Sequence, residues 1–550
     1  MLLGASPCPH SPRIRGVTGV MSSRYPGRRF SFRRLLIALV VMALLGMAGT
    51  LGFRYRQAAE LPTADPWFGG YVDVTATPPY PFESPSGGGD GSNPVLSFVV
   101  AGDDACTPSW GGYHTLDEAA SELDLDRRIA QVGRSGRTPV ISFGGRDGTD
   151  LAAACTDAES LAAAYREVLD RYAVSVIDLD IEGDALTDTA ARTRRVAALA
   201  SLRRSAQGGG TAGTGAETST PSGATPLFWL TLPADTGGLT ADGLAVVKEF
   251  LDAGLVPTGV NLMTMDFGVS STQTRIPDLV DRSLDSAHEQ LLRLLVSSGR
   301  IVTSAQVWSM MGATVMIGQS DVAGELLSTT DAARVAALAA EHGLGRVSMW
   351  SLNRDYACPA NYADRSTPST SCSGVEQGDQ QFSSILAGEM TGNAATLPGV
   401  LSSPTPLPST TSDEDDPATS PYPLWDPATV YAVDERVVWH HNVYVSRWKN
   451  QGQQPDLIEH DSTQENPWRL VGPVLPGETP APVPSLSPGA LAEWDPSTVY
   501  QQGDRVMLDG IGYQAKWWTQ GNSPEASAVD ADSSPWRRLT DDEVREIQGQ

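Results

Sequence analysis

The stretch Val174-Ser-Val-Ile-Asp-Leu-Asp-Ile-Glu182 decides the fold of the central part of the chain. Acidic and apolar residues alternate along it, and successive side chains of a β-strand point to opposite faces of a sheet. One face would carry the even-numbered residues, which are Val174, Val176, Asp178, Asp180 and Glu182. The other face is apolar, as expected where a strand packs against helices. An exposed acidic strand in an antiparallel hairpin would show the same alternation, so the neighbouring sequence decides between the two.

That neighbouring sequence alternates strand-like apolar runs with Ala- and Leu-rich helical patterns. Eight strands are predicted, at Tyr71–Thr75, Val95–Val100, Pro139–Gly144, Val174–Glu182, Leu227–Leu232, Gly259–Met265, Ala305–Ser309 and Arg346–Trp350. Helices are predicted between several of them, at Leu151–Tyr172, Ala241–Ala253 and Asp331–His342. This order within residues 64–395 predicts an α/β fold, a (β/α)8 TIM barrel. The carboxylates would then face the barrel interior at successive positions toward its C-terminal mouth, where barrel enzymes carry out their chemistry.

The spacing of the three carboxylates favours acid–base chemistry. Side chains two positions apart on a strand lie about 6.5 Å apart, and three carboxylates at that spacing cannot all stay ionised where water is scarce. We expect Glu182, at the exit of the strand, to have a raised pKa and to act as a general acid.

The same strand resembles a signature of glycoside hydrolase family 18, the chitinases and their relatives. The family pattern is D-x-x-D-x-D-x-E, and Asp178, Asp180 and Glu182 fill its last three positions. Ser175 stands where the first Asp would be. Further matches fall in the family's order: Ser142–Gly145 with the third-strand S-x-G-G, Met263–Phe267 with the sixth-strand M-x-Y-D, and Trp350 with the eighth-strand Trp. The resemblance covers residues 66–390, and in the third-strand match we expect mainly packing and turn residues.

The resemblance implies hydrolysis of β-1,4-linked N-acetylglucosamine polymers with retention, assisted by the substrate itself. Glu182 would protonate the glycosidic oxygen while the 2-acetamido oxygen of the sugar attacks its own anomeric carbon. Asp180 would orient the acetamido group, and Asp178 would balance the protonation of Asp180. The resemblance implies no cofactor, and the sequence has no Cys/His cluster with zinc-site spacing, so we expect no metal.

Five further residues are candidate substrate contacts. Trp350 would form the floor of a sugar subsite, Asp266 would hydrogen-bond the sugar or the acid, and Met263 and Met265 would lie beside them. Trp308 fits either the barrel core or a subsite wall, and we favour the wall. Met265 stands where many family members place a Tyr, and losing that hydroxyl donor costs on the order of 10²-fold in rate. The alternative functions are therefore a surface protein that binds chitin or peptidoglycan with little catalysis, and an endo-N-acetylglucosaminidase acting on glycoproteins.

The C-terminal part contains a duplicated module. Trp425-Asp-Pro427 recurs 69 positions later as Trp494-Asp-Pro496, and aromatic residues recur in the same register. The copies, residues 424–471 and 492–540, resemble carbohydrate-binding module family 5/12, which binds chitin. They are preceded by Pro-, Ser- and Thr-rich segments at 396–423 and 472–491, which we expect to be flexible linkers. The candidate sugar-binding aromatics are Tyr513, Trp517 and Trp518 in the second copy and Tyr444 and Trp448 in the first. Lys449 replaces the second Trp of the pair, so we expect the second copy to bind more strongly.

The N-terminal part predicts a membrane-spanning segment. Residues 35–53 form an uncharged apolar run, long enough to cross a bilayer, behind an Arg-rich segment at 1–34. By the positive-inside rule the remainder would lie outside the cell, in a single-pass cell-membrane protein. The alternative is secretion after cleavage near Gly46-Met-Ala48. The natural start is Met1 or Met21.

The net charge and the number of cysteines are consistent with an extracellular location. The net charge of -26 argues against a nucleic-acid partner, because phosphate binding needs a basic surface. Apart from Cys8, four cysteines lie on the outer side, namely Cys106, Cys155, Cys358 and Cys372. Three pairings are possible, and proximity in sequence favours Cys106 with Cys155 and Cys358 with Cys372. We expect a monomer whose partners are the membrane and an N-acetylglucosamine-containing polysaccharide such as chitin.

Overall fold

The computed structural model describes twelve parts of the chain, residues 32–59, 65–84, 93–208, 226–269, 274–359, 367–388, 390–395, 415–456, 466–480, 486–524, 534–539 and 541–548. The chain divides into two compact units, residues 1–58 and 59–550. The expected Arg-rich segment before residue 32 and most of the predicted linker at 396–423 lie outside the described residues.

The first unit contains helix α1, Phe32–Ala59. Its first 19 residues, Phe32–Thr50, have a mean hydropathy of 1.9 and none of this stretch is buried. Its length and composition suffice to cross a membrane, and a signal sequence would have the same properties.

The second unit begins with a closed barrel of eight parallel strands. They are β1 Trp67–Asp73, β2 Val95–Ala101, β3 Val140–Gly144, β4 Val176–Asp180, β5 Leu227–Asp235, β6 Gly259–Met263, β7 Met311–Met316 and β8 Arg346–Trp350. Each strand pairs with the next one in sequence, and β1 closes the ring by pairing with both β2 and β8. The predicted TIM barrel is thus confirmed.

Helices surround the barrel. They are α2 Leu116–Glu122, α3 Leu125–Arg134, α4 Leu151–Ala154, α5 Ala158–Tyr172, α6 Gly183–Thr187, α7 Thr189–Gly208, α8 Ala241–Asp252, α9 Ile276–Ser297, α10 Ser304–Ser309, α11 Thr329–His342 and α12 Phe382–Ala387. The helix predicted over Leu151–Tyr172 is interrupted at Cys155, which is bonded to Cys106. The second disulfide joins Cys358 and Cys372, so the favoured pairing is confirmed.

The alternation in β4 separates two packing layers. Ile177, Leu179 and Ile181 belong to the large cluster between barrel and helices, whereas Val176 belongs to the small cluster inside the barrel. Val174 differs from the prediction, because it packs in the outer cluster. The strand begins only at Val176, after α5 has ended in a left-handed residue at position 173, so the alternation does not reach back to 174.

The seventh strand was predicted wrongly. Ala305–Ser309 lies within helix α10, and the strand is Met311–Met316. Thr303 and Gln306 form a reciprocal capping box, in which each side chain accepts a hydrogen bond from the backbone N–H of the other. That box starts a helix and outweighs the strand propensity of the apolar residues behind it.

The two C-terminal modules are small. The described residues of the first form strands, and those of the second form strands and one helix. The first contains β9 Val430–Tyr431, β10 Arg436–Trp439, β11 Asn442–Ser446, β12 Asn450–Gln451 and β13 Trp468–Pro473. The second contains β14 Ala492–Glu493, β15 Val499–Tyr500, β16 Arg505–Leu508, β17 Ile511–Ala515, β18 Thr519–Gln520, β19 Trp536–Arg538 and helix α13, Asp541–Gln548.

The two modules repeat each other in detail. Tyr431 meets Trp468 edge to face with ring centres 5.0 Å apart, and Tyr500 meets Trp536 in the same way at 5.0 Å. Each tyrosine hydroxyl accepts a backbone N–H five residues earlier, at 2.7 Å in both copies. The modules are too small for an ordinary core, and these aromatic pairs supply it.

Candidate active site

The centre of the barrel is organised around Asp178, which is fully buried. One carboxylate oxygen accepts hydrogen bonds from the Tyr71 hydroxyl and the Ser142 hydroxyl, both at 2.8 Å. The other accepts from the Thr231 hydroxyl and from the Arg346 guanidinium, both at 2.6 Å. Four strands therefore donate to one carboxylate carried by β4. These four donors, one of which is a permanent cation, satisfy both oxygens of the Asp178 carboxyl.

Arg346 lies below this carboxylate and is itself fully buried. It also donates to the Ser348 hydroxyl at 2.7 Å and the Tyr71 hydroxyl at 3.1 Å, and its guanidinium carbon lies 4.9 Å from the Trp67 ring centre. Burial, followed by the charge of Asp178, raises the pKa of Tyr71 well above its usual range. The phenol is therefore neutral and remains a hydrogen-bond donor.

Sequence reasoning missed three of these donors, Tyr71, Thr231 and Arg346. They lie far from Asp178 along the chain, and only barrel closure brings them to it. A signal did exist, since Arg346 shares the inward parity of β8 with Trp350 and is a charged residue in an otherwise apolar strand. Ser142, expected to be a packing residue, is instead a donor to the buried carboxylate.

Asp180 lies one step higher on β4 and has far fewer partners. It is 5% exposed, and its Oδ1 atom has no hydrogen-bond partner among the described residues. Burial raises its pKa well above the usual range, and the charges of Glu182 and Asp178 raise it further. An unpaired buried carboxyl is costly, and a ligand N–H at this position would satisfy it.

Glu182 follows β4 at the barrel mouth, where its extended backbone precedes helix α6. The side chain is half-buried, and burial is the main cause that raises its pKa. Arg146 opposes the shift, whereas Asp147 and Asp266 add to it. Both carboxyls therefore hold their protons to a higher pH than an isolated carboxyl does. A half-exposed protonated carboxyl at the mouth is suited to general acid catalysis.

An aromatic floor lies beside these carboxyls. Trp350 is half-buried and stacks on Phe98, with ring centres 5.6 Å apart and an angle of 17°. The ring centres of Tyr71 and Trp350 lie 6.0 Å apart. Phe98 was not singled out in the sequence, although it also packs against the Gly145 backbone, where a Cβ would lie 2.7 Å from the ring. A half-exposed Trp held flat in this way can stack on the apolar face of a sugar.

The close approach of β3 and β4 requires glycine at position 144. A Cβ there would lie 2.1 Å from the Asp180 carbonyl oxygen, and its φ of 103° is unfavourable for other residues. This part of the third-strand motif therefore serves packing, as expected.

The loop after β6 carries Asp266 and the two methionines. Met263 ends the strand, Met265 is half-buried, and Asp266 is exposed with a left-handed φ of 55°. The Ser320 hydroxyl donates to Asp266, and Glu325 accepts the Phe267 backbone N–H at 3.2 Å. These contacts hold Asp266 where its charge acts on Glu182.

The expectation that Trp308 forms a subsite wall is wrong. Trp308 lies in α10, which precedes β7 and so belongs to the end of the barrel opposite the mouth. Its ring is stacked between His288 and His342, each with ring centres 4.2 Å away. Because the predicted strand was a helix, the residue was assigned to the wrong end of the barrel.

The module aromatics divide into two groups. Trp517 and Trp518 are 46% and 58% exposed, and Trp448 of the first copy is 38% exposed. Tyr513 and Tyr444 are 6% and 8% exposed and belong to the module cores, so the expectation that they bind sugar is wrong. Trp517 and Trp518 lie in the bend between β17 and β18, not on a strand, which is why both are exposed.

One group of described residues could hold a metal ion. Asp281 and Asp285 of α9 and His342 of α11 offer ligand atoms within 4.8 Å of one another. His342 already bonds Asp281 at 2.7 Å and stacks on Trp308, far from the carboxylates of β4. This group is explained by helix packing and has no part in the candidate active site.

Comparisons with known proteins agree with this geometry. The model of carbohydrate-binding module family 5/12 matches residues 493–537. The chain is 30% identical over 265 residues to a probable bifunctional chitinase/lysozyme of Escherichia coli, covering 48% of this chain and 28% of that protein. It is also 30% identical over 268 residues to endochitinase 11 of Metarhizium anisopliae, covering 48% of this chain and 47% of that protein. The chain thus spans less than half the length of these relatives.

Among solved structures, the catalytic domain of the Pyrococcus furiosus chitinase is similar, with a TM-score of 0.49 and 23% identity over 61% of this chain and 99% of that one. Both of these relatives are named as chitinases, and the carboxylate strand has the last three residues of the family 18 signature. Over about half of its length the chain is therefore similar to chitinases, and residues 493–537 match carbohydrate-binding module family 5/12.

Proposed function

We propose that this protein hydrolyses chitin, the β-1,4-linked polymer of N-acetylglucosamine, by the substrate-assisted retaining route. The proposal rests on three carboxyls, two on β4 and one just after it, which differ in burial and in hydrogen bonding. Asp178 is fully paired, Asp180 is buried with a free acceptor oxygen, and Glu182 is half-exposed with a raised pKa.

Each carboxyl has one task in this reaction. Glu182 donates its proton to the glycosidic oxygen as the bond to the anomeric carbon breaks. The acetamido oxygen of the same sugar attacks that carbon and forms a cyclic oxazolinium, so no enzyme nucleophile is needed. Asp180 accepts the acetamido N–H through its free oxygen and stabilises the positive charge that develops there. Water then opens the ring, giving its proton back to Glu182.

The paired Asp178 supports Asp180 from below. Because the ion pair with Arg346 compensates the charge of Asp178, the Asp180 carboxyl is repelled less from below and can stay directed at the acetamido group. Met265 offers no hydroxyl to the acetamido oxygen, so we expect a rate below that of an enzyme with a Tyr there, by about 10²-fold.

The second module is the proposed chitin-binding part. Trp517 and Trp518 present two exposed rings, which suit stacking on pyranose rings and would be unfavourable on a surface without a ligand. The two disulfides fit an oxidising compartment, and α1 would act as a membrane anchor or a secretion signal. The site of action is accordingly outside the cytoplasm.

The test is release of 4-nitrophenol from 4-nitrophenyl chitobioside. Glu182→Gln should lower kcat by 10²- to 10⁴-fold, as is typical when a general acid is lost. Glu167→Gln is the matched control, because Glu167 is exposed in the C-terminal half of α5, which leads back to the end of the barrel opposite the mouth. Wild-type activity in Glu182→Gln would contradict the mechanism. An inert wild type that still binds chitin would instead support the alternative of a binding protein.

A further inference from the structure

The first module is held against the barrel by charged contacts around helix α3. Arg436 forms an ion pair with Asp124, which immediately precedes the helix, at 2.6 Å. Arg469 pairs at 2.5 Å with Glu83, which is fully buried and also bonds Arg128 at 2.9 Å. Two arginines on one face of the module thus meet two acids of the barrel.

The same contact region is tightly packed. The Arg127 guanidinium donates to the Pro473 carbonyl at 2.6 Å and to Glu478 at 3.0 Å. A Cβ on Gly472 would lie 2.5 Å from the Arg127 carbonyl oxygen and 3.1 Å from the Gln131 Cβ, so only glycine allows β13 to approach α3 so closely. The expectation that linkers leave this module as an isolated block therefore does not hold for the first copy.

The second module uses the equivalent face differently. Arg505 and Arg537 occupy the repeat positions of Arg436 and Arg469. Both bond Glu543 of the chain's own C-terminal helix α13, at 2.9 Å and 2.7 Å. Apolar residues accompany this contact, since Met507, Leu539 and Val544 form one buried cluster. In the first copy, then, the arginine pair meets Asp124 just before α3 and Glu83 in the loop after β1, and in the second copy it meets Glu543 of α13. A helix lies against this face in both copies.

The two copies also differ on the side proposed to bind sugar. The second copy has Trp518, which is 58% exposed, where the first copy has Lys449. The family model matches the second copy, at residues 493–537.

We propose that the arginine-bearing face is a helix-docking surface, and that the duplicated modules have divided two tasks. The first copy docks on the barrel as a fixed part of the catalytic unit. The second copy has this face covered by α13, stays independent of the barrel and binds the polysaccharide. The sugar-binding half of this proposal rests on the proposed function, whereas the docking half does not.

Docking can be tested by cysteine cross-linking of the full chain. Arg134→Cys and Asn442→Cys, in a Cys8→Ser background, replace two side chains that are hydrogen-bonded to each other at 3.0 Å across this contact, so a short bismaleimide reagent can join the two thiols. We expect most of the chain to be cross-linked, seen as a linked peptide by mass spectrometry. Arg134→Cys with Gln501→Cys, an exposed position in the second module, is the control. Cross-linking no greater than in this control would overturn the docking.

The role of the arginines can be tested on the same cross-link. Arg436→Ala with Arg469→Ala should reduce its yield to the level of the control pair, because Asp124 and Glu83 lose their partners. Arg505→Ala with Arg537→Ala is the matched pair from the second copy and should leave the yield unchanged. Equal yields in both double variants would show that the arginines do not hold the module.

The division of tasks predicts unequal losses of chitin binding. Trp518→Ala should remove most retention on chitin beads, whereas Trp448→Ala should remove little. The reverse order would refute the division while leaving the docking result intact. If the wild type is not retained on chitin at all but the cross-link forms, the proposed function fails and the docking surface stands.

Discussion

Replacing Arg346 with methionine should destabilise the barrel, because it leaves a buried carboxylate without its cation. The change removes the cation of a fully buried ion pair with Asp178 while keeping an apolar side chain of similar length. Breaking such a pair typically costs about 3 to 5 kcal/mol, because the remaining charge is left uncompensated. Three neutral donors still contact Asp178, from Tyr71, Ser142 and Thr231, so we expect a value near 3 kcal/mol.

The corresponding shift in melting temperature follows from the size of the barrel. An unfolding entropy of about 2.1 cal/mol/K per residue over about 330 residues gives about 0.7 kcal/mol/K. A loss of about 3 to 5 kcal/mol then lowers Tm by about 4 to 7 °C.

The assay is urea denaturation of wild type and variant, in a double-mutant cycle with Asp178→Asn. The double variant should recover most of the stability, because no buried charge remains. The control is Arg195→Met, which breaks a buried pair with Asp150 at 2.8 Å in the helical layer around the barrel. No recovery in the double variant would refute the argument that Arg346 acts by neutralising Asp178.

Two further predictions concern the upper carboxyls. Because the pKa of Asp180 is raised in the folded protein, the wild type loses stability as the pH rises above about 3.9, the pKa of an Asp in the unfolded chain. In urea denaturation, Asp180→Asn should therefore be more stable than wild type at pH 8 and nearly equal to it at pH 4. Equal stability at pH 8 would contradict this prediction. The raised pKa of Glu182 keeps it protonated to higher pH, so the alkaline limb of kcat/KM should move up in Arg146→Gln and down in Asp147→Asn. Shifts in the opposite order would show that another group controls that limb.

The sequence predicted the barrel and the alignment of the three carboxyls because both depend on local alternation. Asp178 and Asp180 lie on β4 and Glu182 follows it in extended backbone, so strand geometry alone places them on one face. Trp308 was misplaced for a related reason, since the hydrogen bonds of a capping box, which local apolarity does not reveal, turned a predicted strand into a helix.

The partners of the carboxyls depend on contacts that no local pattern contains. Arg346 lies 168 positions from Asp178 and Tyr71 lies 107 positions away, and both reach it only when the barrel closes. Docking of the first module is similarly invisible in sequence, because Glu83 and Arg469 are 386 positions apart. Proline-rich composition predicts a linker before the first module, but composition does not say whether the domain behind it packs on the barrel.

The hydrogen bonds and the ion pair of Asp178 also determine the order in which the barrel can be completed while the chain is synthesised. Its neutral donors come from β1, β3 and β5, whereas Arg346, the cation that contacts it among the described residues, arrives with the last strand. A nascent chain that closed without β8 would enclose an acid with no counterion, which is strongly unfavourable. Premature closure is therefore penalised until the final strand is present. Nascent chains that stop before Arg346 should be digested readily by protease, and those that extend beyond Trp350 should become resistant in a single step.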